Sequence, residues 1–185
     1  MDNQAAAMEK LEQLKQYLRK QGRVAVAFSG GVDSAFLLKT AQEALPGQVL
    51  AVTAAAVSFP ERELKEAEAF CRQYGIMHEV RFVDVLQVEG FCQNPENRCY
   101  LCRRALLANI TDIAAKHGIT CILEGANLDD DGDFRPGRQA VLEAGIRSPL
   151  RDAGMTKADI RLLAKRQGLT VWNKPSFACL ATRIP

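Results

Sequence analysis

The sequence predicts an α/β fold, a parallel sheet with helices on both faces. Three observations carry this prediction. Short apolar runs alternate with stretches of helical periodicity along most of the chain. The first apolar run passes into a helix through a tight glycine turn, Ser29-Gly30-Gly31-Val32-Asp33-Ser34. Glycines also stand where helices should stop, at Gly75, Gly118 and Gly168, a position that suits a left-handed C-cap.

Taken in order, Leu11, Leu14, Tyr17 and Leu18 share one helical face, so the chain should open with a helix. Residues 24–28 form the first strand, and residues 35–44 the helix after the turn, stopped near Pro46-Gly47. Residues 49–55 are a second buried strand, Pro60 opens a helix through Tyr74, and residues 76–83 alternate as a third strand. Residues 91–97, with Pro95, read as polar loop, residues 98–117 as a long helix and residues 119–123 as a fourth strand. Thr156 to Asp159 has the form of a capping box with Asp in place of Glu, opening a helix that ends at Gly168.

Composition narrows the classes. A chain of 185 residues with 48% hydrophobic and 25% charged residues suits a soluble domain with a real core. A net charge of +2 gives no general electrostatic case for nucleic acid. The first 22 residues lack an apolar core flanked by basic residues, so they do not read as a signal peptide. No apolar run is long enough to span a bilayer. The chain therefore reads as cytoplasmic, where its six cysteines are expected to be reduced, catalytic or metal-bound rather than paired.

In parallel sheets, ligands bind beyond the carboxyl ends of the strands. After the first strand, Gly30 and Gly31 let the backbone approach a ligand, and the helix start that follows offers free N–H groups and a positive dipole end to an anion. A phosphate is the expected anion, and a turn that merely joins strand to helix is the alternative. A phosphoryl-transfer loop of the form GxxxxGK[ST] is absent, since the first lysine after Gly31 is Lys39. The dinucleotide pattern GxGxxG is absent too. After the fourth strand comes Glu124-Gly125-Ala126-Asn127-Leu128-Asp129-Asp130-Asp131. Carboxylates beside a phosphate call for a bridging cation, and magnesium held by Glu124 and Asp130 fits that need. The alternative is a solvated acidic turn, the reading given to Asp129, Asp131 and Asp133.

The cysteines are the third signal. Cys179 lies in a short loop between a Pro-Ser turn and Arg183, which would favour a thiolate and could bind a phosphate. A small buried apolar residue is the alternative. Cys99 and Cys102 form a CxxC at a helix start, a position that lowers thiol pKa and suits redox or metal chemistry. With Cys179 they would make three thiolates, and the alternative is that they only pack or form a redox pair. Cys71, Cys92 and Cys121 read as incidental, and neither His78 nor His117 has a ligand-like spacing. Arg98 and Arg183 are candidates for a substrate phosphate, whereas Arg103 and Arg104 read as surface charge.

SGGVDS resembles the PP-loop of the ATP pyrophosphatase superfamily, and EGANLDD resembles the second signature of those enzymes. Together with residues 148–169 and WNKPSFACLATRIP, these motifs make nearly the whole chain, in order, similar to the LarE-type ATP-dependent sulfur transferases of nickel-pincer cofactor biosynthesis. The resemblance implies a Rossmann-like, adenine nucleotide alpha hydrolase-like sheet. It implies a PP-loop ATP pyrophosphatase domain over residues 1–169, and a cysteine-bearing loop over 170–185 leading into a C-terminal region absent here. ATP would lie on Ser29, Gly30, Gly31, Val32, Asp33, Ser34, Gly125 and Asn127, and Mg2+ on Asp33, Glu124 and Asp130. The implied substrate is a small mononucleotide, pyridinium-3,5-biscarboxylic acid mononucleotide, and the full-length form would be a homo-oligomer. A carboxylate is adenylylated, and Cys179 supplies the sulfur. Two sulfur routes follow: Cys179 is consumed and left as dehydroalanine, or Cys99, Cys102 and Cys179 hold a 4Fe-4S cluster that carries the sulfur. A PP-loop tRNA thiolase, or a module that binds ATP without turnover, are the alternatives.

Overall fold

A computed structural model describes residues 2–57, 59–132, 137–175 and Cys179. Its centre is a parallel sheet of β1 (Val24–Ala27), β2 (Val49–Ala56), β3 (Met77–Val83) and β4 (Cys121–Leu123). The strand order is β3-β2-β1-β4. The chain thus moves outward from β1 through β2 to β3, then crosses back to place β4 on the other side of β1. The crevice between the ends of β1 and β4 is the switch point where such sheets take ligands. Arg147 adds an isolated parallel bridge to Leu123, extending the sheet by one residue pair beyond β4.

The helices make the outer layers. Along β1, Val24 and Val26 face a core built with α1 (Asp2–Arg19), α2 (Val32–Ala44), α3 (Glu61–Gln73) and α7 (Lys157–Arg166). Ala25 faces the opposite core, built with α4 (Arg98–Lys116) and α5 (Gly137–Glu143). The same alternation splits β2, with Val49 and Ala51 on one face and Leu50 and Val52 on the other. Burial on both faces explains why these strands read as continuous apolar runs rather than half-polar ones.

Boundaries differ where capping decides them. α2 begins at Val32, three residues before the expected start, because Gly31 is extended and serves as N-cap. That shift puts Asp33 and Ser34 in the first turn. Residues 91–97 are not wholly loop, since Phe91–Gln93 is a 3₁₀ turn. The short helices α5 and α6 (Pro149–Asp152) carried no readable periodicity, being about one to two turns long. The capping box of α7 is present as expected, with Thr156 and Asp159 each bonded to the other's backbone.

Candidate active site

The glycine turn closes on itself. Ser34 Oγ donates to the Gly31 carbonyl at 3.1 Å, accepts from the Ser29 N–H at 3.3 Å and meets Ser29 Oγ at 3.1 Å. Gly30 sits at φ +74, a left-handed conformation open to glycine. The N-cap Gly31 has no side chain to occupy the first N–H groups of α2, which leaves them directed at whatever lies beyond β1. Behind the turn, Thr53 donates to the Phe28 carbonyl at 2.8 Å and meets His78 Nε2 at 2.8 Å. With the Thr53 proton committed to Phe28, His78 must donate. Burial lowers the His78 pKa, in keeping with a neutral ring bearing one N–H. His78 thus supports the turn from behind through Thr53.

The turn after β4 packs against this loop. A Cβ on Gly125 would lie 2.9 Å from the Ser34 nitrogen, 3.1 Å from its Cα and 3.2 Å from the Asp33 carbonyl carbon. Glycine is required because backbone meets backbone there. Gly125→Ala is expected to destabilise the protein by about 1–3 kcal/mol through overpacking. Thermal melting should register this as a drop of several degrees, and an unchanged melt would refute the close approach. Asn127 Oδ1 accepts from the Asp129 N–H at 3.0 Å, and Asp130 Oδ2 accepts from the Asn127 N–H at 2.9 Å, so the acidic turn is internally bonded.

Glu124 is buried, and both of its oxygens have partners: Arg103 at 2.7 Å on Oε2, and Ser148 on Oε1. Arg103 is therefore not simple surface charge. Its stem passes Gly137, where a Cβ would come within 2.9 Å of Arg103 Cδ. Asp129 is not merely solvated either, since its carboxylate accepts from the Lys157 N–H at 2.8 Å. Leu128 donates to the Met155 carbonyl at 2.9 Å, so the acidic turn is joined to the start of α7. Asp131 pairs with Arg138 at 2.9 Å, and Asp133 lies outside the described residues.

This junction brings α7 over the phosphate loop. Lys157 Nζ bonds Asp33 Oδ2, and Arg161, one turn further on, also acts electrostatically on Asp33. Burial raises the Asp33 pKa, outweighing the lowering by Lys157, and Asp130 adds to the rise. Asp33 Oδ1 is buried without a hydrogen-bond partner among the described residues. A buried carboxylate oxygen left unbonded, with Asp130 close by, fits a divalent cation held by one or two carboxylates and phosphate oxygens.

The cysteines are brought near one another. Burial pushes the Cys102 thiol up to about 11, and Cys179 and Cys99 both add to the rise, so the three are electrostatic neighbours. The expected lowering of thiol pKa at the CxxC does not hold for Cys102. It lies past the first turn of α4, and desolvation dominates there. Among the described residues no group of three or more Cys, His, Asp or Glu side chains stands where it could hold a metal. Cys71 is buried, with its thiol pushed up to about 12, and is inert at neutral pH. Cys179 and Cys99 are exposed. Arg98 donates to Asn94 Oδ1 at 2.6 Å, and Arg183 lies outside the described residues.

A PP-loop domain matches residues 3–133. The chain belongs to the PP-loop family. This PP-loop chain is 38% identical over 176 residues to an uncharacterized protein of Synechocystis sp., covering 95% of the chain and 66% of the relative. It is 36% identical over 169 residues to the pyridinium-3,5-bisthiocarboxylic acid mononucleotide synthase of Lactiplantibacillus plantarum, covering 91% of the chain and 61% of the relative. The PP-loop chain thus spans about two thirds of the length of these relatives. Among solved structures it superimposes on the NMN synthetase of Francisella tularensis with a TM-score of 0.73 at 16% identity, covering 92% of this chain and 75% of that one. The fold is the Rossmann-like sheet of the adenine nucleotide alpha hydrolases, as the PP-loop resemblance implied. No helix among the described residues is long and apolar enough to cross a membrane.

Sequence reasoning missed Lys157, Arg161, Arg103 and Ser148 as members of the site. The capping box placed Lys157 at the first position of a helix, and Arg161 four residues on lies on the same face. Nothing local showed that this face turns toward Asp33.

Proposed function

We propose that this chain is the adenylylating and sulfur-donating part of an ATP-dependent sulfur transferase of nickel-pincer cofactor biosynthesis. The observation that carries the reading is the open N-terminus of α2 set beside Asp33, with Lys157 bonded to it and one oxygen left unbonded. The similarity to the Lactiplantibacillus plantarum synthase supplies the substrate class, a pyridinium mononucleotide bearing carboxylates.

In this reading a substrate carboxylate oxygen attacks the α-phosphorus of ATP. The bond to the bridging oxygen of the β-phosphate breaks, and pyrophosphate leaves. The N–H groups of α2, with Lys157 and Arg161, stabilise the charge on the phosphates. Magnesium on Asp33 and Asp130 would neutralise the developing pyrophosphate. Glu124, engaged by Arg103 and Ser148, braces the turn between β4 and the loop. The Cys179 thiolate then attacks the acyl carbon and AMP departs. Removal of the Cys179 Cα proton with cleavage of its Cβ–S bond releases the thiocarboxylate and leaves dehydroalanine. No oxidant or reductant is needed.

The test is pyrophosphate release from ATP with pyridinium-3,5-biscarboxylic acid mononucleotide as acceptor, against ATP alone and against tRNA. Acceptor-dependent release with a thiocarboxylate product is expected. Release with tRNA alone would favour the thiolase, and binding without any release would favour an ATP-binding module.

A further inference from the structure

Lys174 lies five residues before Cys179, and its ammonium reaches across to the phosphate loop. Nζ donates to Glu63 Oε2 at 2.6 Å, to Glu66 Oε2 at 2.7 Å and to the Gly30 carbonyl at 3.4 Å. An ammonium has three donors, and each has its own acceptor here. Both ends of the residue are held, because Arg161 donates to the Lys174 carbonyl at 3.5 Å. The preceding turn is anchored as well, with Val171 and Trp172 packed on the core and Lys165 set over the Trp172 ring at 4.7 Å.

We propose that Lys174 is a positioning residue that couples nucleotide binding at the phosphate loop to the presentation of Cys179. The proposal rests on the function assigned above. Two physical arguments carry it. A trans peptide is planar, so its C=O and N–H point in opposite directions. Holding the Gly30 carbonyl toward α3 therefore turns the Gly31 N–H the other way, toward the side open to an anion. Any anion that shifts this peptide also shifts the acceptor of Lys174. On the other side, five residues of chain span at most roughly 17 Å, so the grip on Lys174 limits how far Cys179 can lie from the glycine turn.

The grip is a partly desolvated one. The Lys174 side chain is 11% exposed and that of Glu63 is 9%. Burial alone would lower the Lys174 pKa, but Glu63 and Glu66 outweigh it and the net shift is upward, so the ammonium stays charged. Lysine suits the site better than arginine, whose planar fork would not place three donors on acceptors from a loop and two points of a helix.

The experiment uses the 185-residue chain. Alkylation of each cysteine by iodoacetamide is followed by peptide mass spectrometry, with and without Mg-ATP, while Mg-ATP affinity is measured separately by calorimetry. In the wild type, Mg-ATP should change the Cys179 rate by at least about fivefold, the lower range of site-to-site coupling, and leave that of the exposed Cys92 unchanged. Lys174→Met should still bind Mg-ATP but lose the response at Cys179, and Glu66→Gln should weaken it. Wild-type protein that binds Mg-ATP with no change at Cys179, or variants that keep the full response, would overturn the coupling and leave the assigned function standing. Wild-type protein that binds no Mg-ATP would overturn both. Should Lys174→Met fail to fold, Glu66→Gln decides, since the Glu66 side chain is 40% exposed and its loss leaves Glu63 in place.

Discussion

Asp33→Asn is expected to cut acceptor-dependent pyrophosphate release by about 10²–10³-fold, the usual effect of removing one charge-organising group from an active site. The fold should survive the change. Asp33 is buried enough that its pKa is raised despite the bond from Lys157. A carboxyl whose folded pKa lies above its unfolded value favours the folded state fully only below the unfolded pKa, and that contribution is lost as pH rises through the folded pKa. At neutral pH the ionised group is therefore a stability cost that Asn removes. The variant should melt no lower than the wild type at neutral pH, and any gap between them should close as pH falls through the carboxylate range. Loss of activity together with loss of fold would show Asp33 to be structural. Retained pyrophosphate release would remove it from the site altogether.

Cys179→Ala is expected to abolish thiocarboxylate formation while leaving pyrophosphate release within a few-fold of wild type. In the proposed reaction adenylylation uses the phosphate loop and α7, and the thiol enters after it. Cys99→Ser and Cys102→Ser separate the two sulfur routes. If Cys179 alone gives its sulfur, both variants retain a single turnover, and intact mass shows loss of the elements of H₂S at Cys179. If a cluster carries the sulfur, either variant is inactive and the wild-type mass is unchanged after turnover. Cys179→Ala with full thiocarboxylate yield would exclude it as the sulfur source.

β1 and β2 were legible because burial on both faces makes each one a continuous apolar run, whereas β3, largely uncovered, was read from its alternation. The phosphate loop was legible for a different reason: its geometry is local. Two glycines, an N-cap and the onset of helical periodicity all lie within a few residues. Charged side chains were read poorly. Arg103 and Asp129 looked like surface charge, yet one bonds buried Glu124 and the other caps α7. Their partners lie 21 and 28 residues away, beyond the reach of any pattern of spacing.

The sequence by itself determined the parallel α/β architecture, the glycine turn at Ser29 to Ser34 and the family, because these rest on periodicity and on backbone conformations that only particular residues adopt. Only the tertiary structure decided which charges meet that turn. The reversal of strand order puts β4 beside β1, and the turn after β4 in turn holds the start of α7. Lys157 and Lys174, which are 124 and 144 residues from the loop atoms they contact, both reach it. Pairings at that separation depend on how helices pack against the sheet, and one-dimensional order does not encode that packing in any local signal.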